Sequence, residues 1–270
     1  LWRRISQIRD QLYWLEVLFS NVVNIQNSVV PLALVAFVPT ISVLFTLGHN
    51  DDEFVSKIFF FTSKLWLFLV PAYWYLRVEK KSPSWSFPTR DGLVVGGISG
   101  IIMSIIIIVM WILLGDTLDT SSMISELEST GLTEFRMYLA GMIYWIFLNS
   151  LLEEYVFRWF VTIKSIELLG SEVRAIILSA ILFTLHHAIA LHYFGFVWWQ
   201  TVMACFGLLS AAAIWSWLYV RYRSVWVCWL SHAICDVAVF GLGYLIIFGW
   251  LIWESFSPTA SITSLNWKIY

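Results

Sequence analysis

Long runs of apolar residues, separated by short polar segments, make up most of the chain. Each run has about 20 residues or more, the length that a helix needs to cross the hydrocarbon core of a bilayer. The approximate spans are Val29–Gly48, Phe54–Leu76, Gly92–Leu114, Phe135–Leu169, Val173–Leu191, Phe196–Val220 and Ser224–Trp253. The last run is long enough for one tilted helix or for a short helix broken at Gly241–Gly243. The pattern predicts an all-α, polytopic membrane helical bundle with about seven to eight transmembrane helices.

The two ends of the chain differ from this bundle in their polarity. Residues 1–28 combine Arg3, Arg4 and Arg9 with interspersed apolar residues. This composition is typical of a basic amphipathic helix that lies on the membrane surface. Residues 254–270 form a polar C-terminal tail. The remaining part, residues 29–253, is expected to be one transmembrane bundle that contains any functional site.

The composition excludes an ordinary soluble domain. Hydrophobic residues make up 60% of the chain and charged residues 13%, whereas soluble domains have about 25% charged residues. We therefore expect an integral, multi-pass membrane protein in contact with the lipid bilayer. The net charge of −2 is accompanied by no basic tract, so no nucleic-acid partner is expected. The three cysteines, Cys205, Cys228 and Cys235, lie in apolar runs and are interpreted as small core residues.

Positive and negative charges alternate from loop to loop. The N-terminus, residues 77–91 and residues 221–223 are rich in Lys and Arg, whereas residues 49–53 and 115–134 are acidic. By the positive-inside rule, the N-terminus and the basic loops are expected on the cytoplasmic side. The fourth span then runs inward, and its polar residues are expected in the cytoplasmic half of the bilayer.

The fourth span contains the polar cluster Glu153-Glu154-Tyr155-Val156-Phe157-Arg158. A charge at the centre of a bilayer costs about 2.5–3.5 kcal/mol on insertion scales, and such residues usually face a polar cavity inside a bundle. Arg158 lies one helical turn beyond Glu154, so these two side chains are expected to pair. Glu153 points about 100° away from Glu154 and is left free for chemistry. A purely structural ion pair between helices is the alternative interpretation.

Two later spans carry histidines that could meet this cluster. The fifth span contains the adjacent residues His186 and His187, and the seventh contains His232 and Asp236 one turn apart on the same face. Each of these groups needs polar partners inside a membrane. We therefore expect them to converge on one polar cavity that the bundle encloses.

In chain order, the patterns Glu153-Glu154-x-x-x-Arg158, Phe183-x-x-x-His187 and His232-x-x-x-Asp236 resemble three motifs of a known family. That family is the CAAX-processing and bacteriocin-processing (CPBP) intramembrane proteases, which include the CAAX prenyl protease. The resemblance covers about residues 135–240. It depends on all three motifs in order, since each one alone is weak.

The resemblance implies a bundle of about eight spans with a conical cavity that opens to the cytoplasm and the membrane. It also implies a glutamate-type intramembrane peptidase, with CAAX-type or related leader processing of a peptide or a lipidated protein, and no cofactor. In this scheme Glu153 would be the general base. His187 would help to bind and polarise the attacking water.

The same resemblance gives supporting roles to the other motif residues. Glu154 and Arg158 would orient the base, and His232 and Asp236 would face the developing oxyanion. The family often has Asn at the last position, and an ionised carboxylate there would repel an oxyanion. Asp236 is therefore expected to be protonated by burial, to orient His232 or to ligate a metal.

Several alternatives stay open at the level of sequence. His186 could take the catalytic role of its neighbour His187. Zinc is a further alternative because Glu, His and Asp suit it, although no HExxH motif is present. A cysteine nucleophile is disfavoured, since Cys228 lies in an apolar setting and Cys235 is turned away from His232. Outside proteolysis, the alternatives are a non-catalytic bacteriocin-immunity or scaffold protein of the same fold and a transporter.

Overall fold

The computed structural model describes residues 28–48, 53–83 and 85–256. The predicted surface helix of residues 1–28 lies outside these residues except for Ser28, and so do residues 257–270 of the polar tail.

Helices account for most of the described residues, and no strand occurs among them. In chain order they are α1 (Ser28–Gly48), α2 (Phe54–Val78), α3 (Arg90–Leu114), α4 (Thr120–Ser129), α5 (Phe135–Leu169), α6 (Glu172–Tyr193), α7 (Trp198–Tyr222) and α8 (Val225–Phe256). All of them except α4 are long and apolar enough to cross a membrane. The prediction of an all-α polytopic bundle is confirmed, with 7 candidate spans among the described residues.

The ends of the spans lie within a few residues of their predicted positions. α8 continues without a break through Gly241–Gly243, so the single-helix alternative is correct. α5 ends where Gly170 adopts a left-handed conformation with φ of 62°, which is the usual position of a helix-terminating glycine.

The acidic segment between α3 and α5 is not only a loop, as the hydrophobic pattern had suggested. It contains α4, which Asp119 caps by accepting hydrogen bonds from the backbone nitrogens of Ser121 and Ser122 at 3.2 Å each. Hydrogen bonds from these two serines lower the pKa of Asp119 to about 2. Because α4 is polar, it has no membrane-span signal, although an Asp before its first turn is a typical N-cap.

Glycines on one face of α3 allow it to approach α8 closely. Three of them, spaced four residues apart, are buried: Gly92, Gly96 and Gly100. A Cβ atom on Gly96 would lie 2.6 Å from the carbonyl oxygen of Val227, and the hydroxyls of Ser99 and Ser231 form a hydrogen bond at 2.9 Å. Small residues at this spacing are typical of tightly packed membrane helices. The contact positions α8, which carries His232.

The outward faces of the spans are apolar. On α3, for example, Ile105, Ile106 and Ile112 are 54%, 56% and 73% exposed. A continuous apolar exterior of this kind is unfavourable in water and suits contact with hydrocarbon. The exterior therefore agrees with an integral membrane protein.

Ion pairs hold the end of α5 that lies near the basic loop after α2. Nζ of Lys164 contacts the carboxylates of Glu79 and Glu167, and Nζ of Lys81 lies 2.7 Å from Glu79. Only 4% of the Lys164 side chain is exposed. Burial raises the pKa of Glu79, but hydrogen bonds from Lys164 and Lys81 outweigh this effect and lower it overall.

Candidate active site

The backbone of α5 changes its hydrogen-bonding pattern where it carries the polar cluster. The segments Tyr144–Asn149 and Glu154–Val161 are π-helical. The carbonyl oxygen of Phe157 accepts hydrogen bonds from the hydroxyls of Thr162 at 2.8 Å and Ser179 at 3.0 Å. π-helical turns are rare and frequently occur at functional sites. This part of α5 is therefore a candidate for the functional site.

A buried ion pair lies within the bundle. Nε of Arg158 donates to Oε2 of Glu154 at 3.1 Å, and neither side chain is exposed. The pair expected from their spacing is therefore present. The guanidinium carbon also lies 4.6 Å from the centre of the Phe183 ring. The second carboxylate oxygen of Glu154 lies 2.9 Å from Nδ1 of His232, which links α5 to α8.

Glu153 takes no part in that ion pair. Its Oε1 accepts a hydrogen bond from Nδ2 of Asn149 at 2.8 Å. Nε2 of His186 lies 3.9 Å from Oε1, and Nε2 of His232 lies 3.9 Å from Oε2. Both of these distances are too long for a direct hydrogen bond. The carboxylate of Glu153 therefore retains acceptor capacity toward its histidine neighbours.

Both histidines of α6 lie beside Glu153. One ligating atom from each of Glu153, His186 and His187 lies within 4.8 Å of the others. Nδ1 of His187 is 3.1 Å from the carbonyl oxygen of Phe183, so this nitrogen is the protonated one and Nε2 is left as an acceptor. Nδ1 of His186 is buried and has no hydrogen-bond partner within the described part of the chain. The two rings thus both lie near Glu153 but are anchored differently.

His232 lies between carboxylates from two helices. While its Nδ1 contacts Glu154, its Nε2 lies 3.6 Å from Oδ1 of Asp236. The ring stacks on Trp215 at a centroid distance of 4.0 Å and an interplanar angle of 18°. The structure thus brings all six predicted residues into one cluster: Glu153, Glu154, Arg158, His187, His232 and Asp236.

A cavity of about 340 Å³ reaches this cluster. Lys64, Glu153 and His186 line its inner end, and most of the remaining wall is apolar. At the other end the wall includes Glu126 and Thr130 from the acidic segment around α4. The cavity thus extends from the cluster toward the acidic segment around α4.

Sequence reasoning missed two polar residues that contact the cluster. Nζ of Lys64 donates to Oδ1 of Asn149 at 2.6 Å, and Asn149 in turn donates to Glu153. In the sequence, Lys64 is noticeable only as a charge near the middle of an apolar span. Asn149 lies one turn before Glu153, and this spacing was the available signal, because side chains four residues apart meet on a helix.

Glu153, His186 and His187 also form a set that could hold a metal ion. Two imidazoles and one carboxylate are typical ligands of catalytic zinc. Nε2 of His186 lies 3.9 Å from Oε1 of Glu153, whereas ligands around a tetrahedral zinc at about 2.0–2.1 Å lie roughly 3.3–3.5 Å apart. The same three groups could therefore hold either a zinc ion or a hydrogen-bonded water.

Comparison with known proteins gives one family match. Residues 135–238 match the model of a family described as type II CAAX prenyl endopeptidase Rce1-like. Over these residues the match confirms the resemblance to the CPBP proteases, and the matched segment contains all six predicted site residues. No curated protein matches the chain, and no solved structure does.

Proposed function

The chain carries a CAAX-protease family segment over residues 135–238, and from this premise we propose that it is a membrane-embedded endopeptidase that uses a glutamate-activated water. The observation that carries the proposal is the position of the Glu153 carboxylate. It lines the cavity, and one of its oxygens lies within 4.8 Å of a ring nitrogen of His186 and of His187. A general base in such a position typically contributes about 10²–10⁴-fold to the rate.

The reaction begins when Glu153 removes a proton from the bound water. Nδ1 of His187 is held by the Phe183 carbonyl, so its Nε2 accepts a hydrogen bond from the second hydrogen of the water and orients it. The water oxygen attacks the carbonyl carbon of the substrate and forms a tetrahedral intermediate. Glu153 then delivers the proton to the leaving nitrogen, and the C–N bond breaks.

His232 supplies the stabilisation of the developing oxyanion. As an imidazolium it donates from both nitrogens, with Nδ1 directed to Glu154 and Nε2 facing the space beside Glu153. A donor at this position in a dry site is typically worth a few kcal/mol in the transition state. Asp236, whose Oδ1 lies 3.6 Å from the same Nε2, is protonated in this scheme, because an ionised carboxylate beside the oxyanion would repel it. Arg158 balances the charge of Glu154.

The substrate that we propose is a peptide or a prenylated protein that is processed at a CAAX-type C-terminus. Such a reaction removes a C-terminal tripeptide that follows a lipidated cysteine. The largely apolar wall of the cavity, with residues such as Val43, Leu47 and Leu67, is compatible with a chain that carries a lipid. Binding of an apolar group in an apolar cavity is favourable because it removes apolar surface from water.

The first prediction concerns Glu153. In purified protein reconstituted into vesicles, Glu153→Gln should reduce cleavage of a farnesylated CAAX peptide by at least about 10²-fold, because the isosteric amide cannot accept the proton. Cleavage is measured by mass spectrometry of the released tripeptide. The control is Glu128→Gln, which removes a carboxylate from an exposed position on α4 and should leave the rate unchanged. A folded Glu153→Gln variant that cleaves at the normal rate would refute the proposal.

The second candidate is a zinc-dependent version of the same protease, which the ligand set of Glu153, His186 and His187 favours. We predict that treatment with phenanthroline, followed by removal of the chelator, changes the cleavage rate by less than about twofold, because in the proposed mechanism a carboxylate and not a metal ion activates the water. The rate is measured before and after zinc is added back. Complete loss of activity that zinc restores would assign the reaction to a metal-bound water.

A further inference from the structure

We propose that Lys64 and Asn149 are positioning residues for Glu153. In this arrangement the ammonium of Lys64 orients the amide of Asn149, and the amide holds the reacting carboxylate. The inference rests on the proposed function, because it takes Glu153 as the base.

Two short hydrogen bonds carry the inference. Nζ of Lys64 on α2 lies 2.6 Å from Oδ1 of Asn149 on α5. Nδ2 of the same amide lies 2.8 Å from Oε1 of Glu153, one helical turn further on. Lys64 and Glu153 both line the cavity. A single amide therefore connects a cation on one helix with the carboxylate on another.

The donor and acceptor groups of the three residues allow these two hydrogen bonds to run in only one direction. An ammonium can only donate hydrogen bonds, so it must face the amide oxygen of Asn149. The NH₂ group of Asn149 is then turned toward Glu153, and an ionised carboxylate can only accept. Hydrogen bonds that involve a charged group are roughly twice as strong as neutral ones. Lys64 therefore fixes the orientation of the Asn149 amide, so that the NH₂ group of the amide faces Glu153.

The contrast between the two glutamates explains why an indirect contact is useful. Glu154 pairs directly with Arg158, and both of its oxygens have a partner. A direct ion pair of this kind at Glu153 would stabilise the ionised carboxylate, although this carboxylate must accept a proton during the reaction. The contact through Asn149 occupies Oε1 of Glu153 and leaves Oε2 facing His232 at 3.9 Å. Placing a cation within a membrane span is costly, which suggests a functional reason for Lys64.

The test is a double-mutant cycle on cleavage of the farnesylated CAAX peptide. We expect Lys64→Met and Asn149→Leu each to lower kcat by about 10- to 100-fold, with KM changed by less than about threefold. Because Lys64 acts through Asn149, the double variant should be no slower than Asn149→Leu alone. Lys64→Arg, which also only donates, should retain kcat within about threefold of the native value.

A matched control is available on the same helix. Lys57 lies on an exposed face of α2, and Lys57→Met should leave both kcat and KM unchanged. If the losses in kcat of the two single variants multiply in the double variant, Lys64 acts independently of Asn149 and the positioning role is overturned. A rise in KM at constant kcat would also overturn it, since Lys64 would then contact the substrate.

Thermal unfolding in detergent supplies a readout that does not depend on cleavage. The effects of Lys64→Met and Asn149→Leu on Tm should also be non-additive, because each removes the same hydrogen bond. Additive effects on Tm would overturn the proposed contact whether or not the peptide is cleaved. If the native protein leaves the peptide uncut while its Tm values are coupled, the proposed function and the positioning role both fail, but the contact itself stands.

Discussion

The two adjacent histidines of α6 are held in different ways. His187 is anchored by its Nδ1 against the backbone carbonyl of Phe183 at 3.1 Å, which sets the direction of its Nε2. His186 stacks on Phe157 with a centroid distance of 5.7 Å and an interplanar angle of 16°, and it lines the cavity. Orienting a water requires an acceptor with a defined direction. We therefore expect His187 to hold the water and His186 to shape the cavity wall.

Alanine substitution at each position tests this assignment. His187→Ala should lower the single-turnover rate of peptide cleavage by about 10²-fold or more, because the water loses its second partner. His186→Ala, the control on the next residue, should lower that rate by no more than about tenfold. A larger loss at His186 than at His187 would exchange the two roles.

At the scale of helices, the packing of α3 against α8 determines where His232 lies. The backbones are close because the buried face of α3 has glycines: at Gly96, a Cβ atom would come within 2.6 Å of the Val227 carbonyl oxygen. A hydroxyl of the same α3 face, that of Ser104, donates to the carbonyl oxygen of Ile234 at 3.0 Å. Interhelical hydrogen bonds of this kind contribute about 0.6 kcal/mol on average. Close packing therefore matters more than polar contacts for the position of α8.

Neighbouring glycines of α3 make a controlled test of this packing. Gly96→Ala should lower Tm and reduce cleavage, since overpacking typically costs about 1–3 kcal/mol. The control is Gly97→Ala, where the nearest atom to a new Cβ is Cδ2 of Leu230 at 3.9 Å. That variant should be neutral or up to about 1 kcal/mol more stable, because Ala favours a helix over Gly. Both are compared by thermal unfolding in detergent, and equal effects would contradict the packing argument.

At the scale of the molecule, the spans could be predicted because continuous apolar runs have only one stable environment, the bilayer. The pairing of Arg158 with Glu154 could be predicted as well, since helical spacing determines which side chains within one helix meet. The convergence of the histidines on the glutamates followed less directly, from the requirement that buried polar groups find partners, but the specific contact of His232 with Glu154 did not.

Contacts between distant parts of the chain could not be predicted in this way. The link from Lys64 to Asn149 joins residues 85 positions apart, and no periodic pattern within either helix indicates it. Within the π-helical segment Glu154–Val161, the carbonyl oxygen of Phe157 accepts hydrogen bonds from the hydroxyls of Thr162 and Ser179, and Ser179 lies on another helix. The side on which the cavity lies depends on how all the spans tilt, which hydropathy does not specify.

The acidic end of the cavity makes the orientation of the protein in its membrane testable. If the positive-inside rule holds, a cysteine at Glu128→Cys on α4 should react with a membrane-impermeant maleimide in intact cells, whereas Ser82→Cys in the basic loop should react only after permeabilisation. Both positions are exposed, and the parent chain gives the background from its own cysteines. The opposite labelling pattern would invert the orientation.

Access to the cavity can be tested with the same reagent. Thr130 is exposed and lines the cavity at its acidic end, so a bulky maleimide adduct at Thr130→Cys should narrow the route to Glu153. If the substrate enters there, the adduct should reduce cleavage by the purified protein by at least about tenfold, since a blocked cavity excludes the lipid-carrying chain from the buried site. An adduct at Ser82→Cys is the control and should leave the rate unchanged. Normal cleavage by the Thr130→Cys adduct would mean that the substrate reaches the glutamate from the lipid or from the basic side. The labelling and cleavage experiments together therefore determine from which face of the membrane the substrate comes.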